Sequence, residues 1–240
     1  MLHRTEGIVL KTIPFGEADL IVTYLTPDSG LLKTFAKSPR KIKSRFGSSL
    51  EPLTHSRISF WGKEDATLPR LTQSDIIHPF QSIRNTLSCF LKVSEIIDLT
   101  LHFIPERDAN KKVYSLLLNT LHSIENNCNK DLRLIRYKIK FLELMGYAPK
   151  LDGCGRCGKK GYNFYMSHGS ILCEVCAKGI DLPLKLSPAV VKFYINLLTW
   201  DATKMERIKP SGALISELSN MMDMHTKYIL AKPLKSKSLI

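Results

Sequence analysis

No stretch of this 240-residue chain approaches the ~18 consecutive apolar residues of a membrane-crossing helix, which excludes a spanning segment of that kind. No hydrophobic signal segment opens it, and a free-thiol compartment is the expected location. The GxxxxGK(S/T) phosphate loop, the HExxH helix and the GxSxG elbow are all absent. Neither ATP hydrolysis nor hydrolytic chemistry therefore has visible machinery, and a non-enzymatic protein is expected. Internal repeats and low-complexity segments are lacking too. Acid is scarce: 22 Asp and Glu stand against 35 Lys and Arg, a formal charge of +13. That excess favours polyanionic partners such as nucleic acid or an acidic protein segment. With 44% hydrophobic residues the chain can still bury a sizeable core, in one large domain or in two or three small ones.

Cysteine is sparse, but four of the six form a pattern. A CGRC stretch at 154–157 is followed, after fifteen residues, by CEVC at 173–176. Two CxxC knuckles at that separation can give four thiolates, from Cys154, Cys157, Cys173 and Cys176, to one tetrahedral zinc. The intervening residues suffice for a small hairpin that returns the second knuckle. Gly153, Gly155 and Gly158 suit the first turn, where backbone must pass close to the sulfurs. Four thiolates fill the tetrahedron and leave no position for water, so the metal is read as structural. His168 lies between the knuckles and is read as a loop residue. Cys89 and Cys128 stand outside the pattern, the first as a small buried hydrophobe and the second as a loop thiol.

Strand signals fill the first eighty residues. Residues 5–13, 18–26, 31–37, 52–61 and 66–77 are rich in β-branched and aromatic residues, and a Pro-Asp-Ser-Gly turn at 27–30 separates the second from the third. Five short strands in this span predict a small Greek-key barrel of the OB-fold type. Between the third and fourth strands, Lys37, Arg40, Lys41, Lys43, Arg45 and Phe46 place five cations and one aromatic in ten residues without an acid. Such a loop can neutralise phosphates, and Phe46 either stacks on a base or packs beneath the loop.

From residue 80 the apolar spacing changes to steps of three and four, predicting helices over 82–103, 111–126 and 131–145. Asp131 is placed to cap the third and Gly146 to end it. Two more follow the knuckle, one entered through Ser187 and Pro188 and one capped by Ser211. The expected architecture is α+β: an OB-fold barrel at 1–80, then an α-helical domain at 81–240 with a zinc knuckle inserted at 150–180. Arg133, Arg136 and Lys140 share one face of the third helix, where a solvated surface and a binding rim are equal readings. Lysines 227, 232, 235 and 237 leave the tail basic, either as a phosphate grip or as disordered chain.

These residues also carry a family resemblance. EGIVLK at 6–11, FGEADLIV at 15–22, LTP at 25–27, Gly30, Ala36, Lys37, SRFG at 44–47 and LEP at 50–52 strongly resemble the bacterial RecO recombination mediators. LELMGY at 142–147 and the four cysteines resemble the zinc-bearing branch of that family. The resemblance implies binding of single- and double-stranded DNA and annealing of complementary strands. It further implies engagement of the acidic C-terminal tail of single-stranded DNA-binding protein, and action with RecR, sometimes RecF, to load RecA. An acidic tail ending in apolar residues wants a hydrophobic groove rimmed by cations, and Arg133, Arg136 and Lys140 are the rim this reading selects. Two other classes fit composition alone: an RNA-binding or ribosome-associated OB-fold zinc protein, and a metal-dependent nuclease.

Overall fold

The computed structural model describes residues 1–41, 44–63, 66–125, 131–201, 204 and 207–231. Five strands come first: β1 (Leu2–Phe15), β2 (Asp19–Thr26), β3 (Gly30–Ala36), β4 (His55–Trp61) and β5 (Arg70–His78). Each matches an expected segment to within a few residues. They form a closed ring in the order β1-β2-β3-β5-β4. Four edges of the ring are antiparallel ladders, while β3 meets β5 in parallel through only two pairs, Phe35 with Arg70 and Ala36 with Leu71. The ring is thus a barrel with one thin seam, the partly open Greek-key form of an OB-fold. Alternation along the strands turns Val9, Val22, Tyr24, Leu32, Ile58 and Leu71 inward, and these seal its interior.

Helices α1 (Gln81–Asn85), α2 (Leu87–Phe103) and α3 (Lys111–Ile124) follow. The first two read as one helix in the sequence, but Thr86 is extended at φ −112° and ψ 105° and separates them. The short α1 is held by Arg84, whose Nη1 donates to Pro52 O, Thr54 Oγ1 and Pro79 O at 2.6–3.1 Å. Asn110 caps α3 by accepting from the Val113 N–H at 3.0 Å, and Tyr114 on α3 meets His55 Nε2 of the barrel at 2.9 Å. Cys89 is buried in α2 and disulfide-bonded, so it is not the lone thiol the sequence suggested; Cys128 lies outside the described residues.

The chain divides into two compact units, 1–129 and 130–240. The first holds the barrel and α1–α3. The second begins with α4 (Asp131–Leu144), continues through short strands β6 (Lys150–Cys154), β7 (Asn163–Tyr165), β8 (Ser170–Ile171) and β9 (Leu184–Lys185), and ends with α5 (Pro188–Thr199) and α6 (Gly212–Leu230). Gly146 terminates α4 in the left-handed conformation at φ 79°. Its N–H bonds Glu143 O and that of Tyr147 bonds Leu142 O, the double closure of a Schellman motif. Ser187 and Ser211 cap α5 and α6 by accepting from the N–H groups of Val190 and Leu214. Lys138, nearly buried on α4, reaches Asp223 on α6 at 3.3 Å. Among the described residues no helix is long and apolar enough to cross a membrane.

Candidate nucleic-acid interface and metal centre

The basic segment after β3 is shaped by its own backbone. Ser38 takes a left-handed φ of 57°, its N–H donates to Asp19 Oδ1 at 2.6 Å, and the Arg40 N–H bonds Ala18 O at 3.2 Å. This pins the start of the segment to the entry of β2. Lys37, Lys41 and Arg45 then line a cavity of about 250 Å³ with the hydroxyl residues Ser38 and Ser44. The fourth cation in its wall is Arg70, which sequence reasoning missed because it lies twenty-five residues beyond Arg45. The signal was the barrel itself: the parallel pairing of Arg70 with Phe35 brings the start of β5 to the end of β3. Among the described residues no carboxylate pairs with these four cations. An anion entering the cavity would offset the mutual repulsion of these like charges.

Arg40 is exposed, and Lys43 lies outside the described residues. Phe46 is only 3% exposed and belongs to the barrel core. Of its two readings the structure takes packing, because burying a phenyl ring contributes ~1.5–3 kcal/mol that an exposed stacking position forgoes. Arg45 covers it, with its guanidinium 4.8 Å from the ring centroid and Nη2 3.5 Å from Leu71 O. The exposed aromatic rings on this part of the barrel are instead Phe15, half accessible at the end of β1 and edge-on to Phe35 at 5.9 Å, and Trp61, paired with Arg70 across β4 and β5.

On α4 the cationic face turns toward its neighbour. Arg136 Nη2 donates to Trp200 O at 2.9 Å, and Lys140 Nζ donates to Leu198 O and to Glu143 Oε2. Both therefore satisfy carbonyls that the end of α5 leaves open. All three of Arg133, Arg136 and Lys140 remain half-buried, and Arg136 Nε is a buried donor without an acceptor.

The knuckles come together. The Sγ atoms of Cys154, Cys157, Cys173 and Cys176 all lie within 4.8 Å of one another, with Cys157 and Cys173 at 3.6 Å. A tetrahedral ion with bonds of ~2.3 Å separates its sulfurs by about 3.8 Å, so the donor set fits one thiophilic metal ion. Cys154 ends β6, and β7 and β8 form the expected hairpin that carries the chain to Cys173. The turn demands glycine: a Cβ on Gly153 would stand 2.7 Å from Gly158 O, and Gly158 has φ 76°. The Cys173 N–H holds the Cys154 thiol down to about 6, and the Cys176 N–H lowers Cys173. Cys176 is pushed up to about 12, first by the hydrogen bond it shares with Cys173. Crowded thiols keep a proton among them, which a bound dication would displace. His168 is not a ligand, since its Nε2 accepts from Arg156 at 3.1 Å and its Nδ1 contacts Ser167 Oγ. Arg156 also donates to Cys176 O at 2.7 Å and so ties the first knuckle to the second.

An OB-fold barrel with a basic cavity at its rim, followed by helices that carry a four-thiol metal knuckle, defines the class of protein. The family models described as Recombination protein O N terminal and Recombination protein O C terminal match residues 1–80 and 85–238. The chain belongs to the RecO family, and this membership supports a role in DNA repair and recombination. It is 44% identical to DNA repair protein RecO of Thermodesulfovibrio yellowstonii over 96% of this chain and 94% of that one. The RecO proteins of Syntrophus aciditrophicus and Dehalococcoides mccartyi are 33% and 32% identical, over 99% and 97% of this chain and 95% and 92% of theirs.

Proposed function

We propose that the protein is a non-enzymatic recombination mediator. It binds single- and double-stranded DNA, anneals complementary strands coated with single-stranded DNA-binding protein, and with RecR, and RecF where present, helps load RecA in gap and break repair. The observation that carries the reading is the open concavity walled by Lys37, Lys41, Arg45 and Arg70, with four cations and two hydroxyl residues. Exposed Arg40 extends the same positive surface; Lys43 adds a cation to the same stretch of sequence. Annealing requires two anionic strands to be held together while their repulsion is neutralised, and a cationic barrel rim supplies contacts that ignore sequence.

The acidic C-terminal tail of the coat protein meets the half-exposed face of Arg133, Arg136 and Lys140, whose three cations suit carboxylates. The ion held by Cys154, Cys157, Cys173 and Cys176 is zinc, and its role is structural. The protein works in the bacterial cytoplasm, at the nucleoid, where its DNA partners are. Annealing of complementary oligonucleotides coated with single-stranded DNA-binding protein tests the function. Acceleration that is lost with a tail-less coat protein supports it. Tight binding to structured RNA without DNA annealing would replace it with the RNA-binding alternative.

A further inference from the structure

Outside the knuckle, one other group of metal-ligating side chains converges among the described residues: His78, His122 and Glu125. We propose that these three form a second, open-sided site for a divalent transition-metal ion of the zinc type, joining the last strand of the barrel to the end of α3. His78 is the final residue of β5, His122 lies in the last turn of α3, and Glu125, three residues on and still helical in backbone, is its C-cap. One ligand atom from each lies within 4.8 Å of the others, and His78 Nε2 is 2.8 Å from both oxygens of Glu125. Bonds of ~2.0–2.1 Å to nitrogen and oxygen in a tetrahedron separate the ligand atoms by about 3.3 Å, so small side-chain rotations suffice.

The surroundings fix these ligands. Phe80 is fully buried beneath both imidazoles, with ring centroids 4.4 Å from His78 and 4.8 Å from His122. It holds a left-handed φ of 46°, a costly conformation for a bulky residue, directly after the strand that delivers His78. Ser82 Oγ donates to Glu125 O at 3.1 Å and the Glu125 N–H bonds Leu121 O at 3.1 Å, which sets the carboxylate at the end of its helix. A His78–Glu125 hydrogen bond accounts for two of the groups. The His122 ring, which also packs on Phe80, stands 5.1 Å from that of His78 and within reach of the same ion. A dication satisfies all three. Two imidazoles and one carboxylate select Zn²⁺, Co²⁺ or Ni²⁺ over the oxygen-seeking Mg²⁺ and Ca²⁺. Three protein ligands also leave a fourth position to water, unlike the closed four-thiolate set.

The test is equilibrium dialysis of the metal-stripped full-length protein against Zn²⁺, with bound metal counted. Two equivalents are expected for the unaltered chain and one each for His122→Ala, Glu125→Gln and Cys173→Ser. Loss of a direct ligand should weaken the second site by more than the ~10–100-fold that removal of an outer partner costs. With Co²⁺ the Cys173→Ser chain should keep weak ligand-field absorption without thiolate charge transfer. His122 is exposed, so its replacement spares the core. Should the variants misfold, protection of His122 in the unaltered chain from diethyl pyrocarbonate by Zn²⁺ gives the same decision. One equivalent in the unaltered chain, or no protection, would reduce the cluster to a His78–Glu125 hydrogen bond with a neighbouring ring.

Discussion

Replacing Lys37, Lys41, Arg45 and Arg70 together by Gln should lower both the DNA affinity and its dependence on salt. Each phosphate contact contributes ~0.7 to the log-log salt slope on a single strand and ~0.9 on a duplex. With one phosphate neutralised by each of the four cations of the cavity, their removal should reduce the slope by about 2.8 on single strands and about 3.6 on duplexes. Across a fourfold rise in salt, a slope smaller by about 2.8 means about 50-fold less loss of single-strand affinity. Fluorescence anisotropy of a labelled oligonucleotide at a series of salt concentrations reads both quantities. The fold should tolerate the change, because Lys37, Lys41, Arg45 and Arg70 are all exposed. The principal structural cost is removal of the Arg45 guanidinium from the Phe46 ring, an interaction that contributes about 0.5–1 kcal/mol. An unchanged slope with an intact thermal transition would remove the cavity from the DNA site.

Cys173→Ser should release the knuckle's metal to a chromophoric chelator and lower the melting temperature of the second unit, since structural metal binding is coupled to folding; retention of metal and melting temperature would refute the four-thiolate set. Lys138→Met should cost about 1–3 kcal/mol in chemical denaturation, because it strands the partly exposed Asp223 opposite a buried position, while DNA affinity stays unchanged. Burial holds the pKa of His225 below its ordinary value, against the opposing hydrogen bond to Tyr147 O at 2.8 Å. The unfolded chain therefore takes up the proton first as pH falls. This part of the stability is complete above pH ~6.5 and declines as pH drops from there toward the lowered folded value. His225→Gln should flatten the decline in melting temperature over that window, and an unchanged profile would exclude His225 as its source.

The elements that obey local rules were legible in the sequence. β-Branched and aromatic content marked all five strands, and the residues at the ends of α4, α5 and α6 announced the Gly146 closure and the Ser187 and Ser211 caps. The knuckle was legible because four ligands lie in two short turns. What escaped depends on distant pairing. Arg70 joins Lys37 only through the parallel seam between β3 and β5, which neither strand encodes by itself. Phe46 follows a run of cations, so the sequence left stacking and packing level, and only the barrel interior it fills decides between them. Arg136 and Lys140 share a polar helix face, but the end of α5 with its open carbonyls lies against it. The strands of the second unit, two to five residues long, are too short for any periodicity to show. His78, His122 and Glu125 come from elements more than forty residues apart and meet only in the fold.

The most direct test of the mediator reading is the annealing rate of complementary oligonucleotides coated with single-stranded DNA-binding protein, measured with intact and tail-less coat protein. The mediator reading requires acceleration with the intact coat, its loss with the tail-less coat, and its loss again when Lys37, Lys41, Arg45 and Arg70 are replaced by Gln. Tight DNA binding with no acceleration on either coat would contradict it and leave a nucleic-acid-binding barrel without mediator activity.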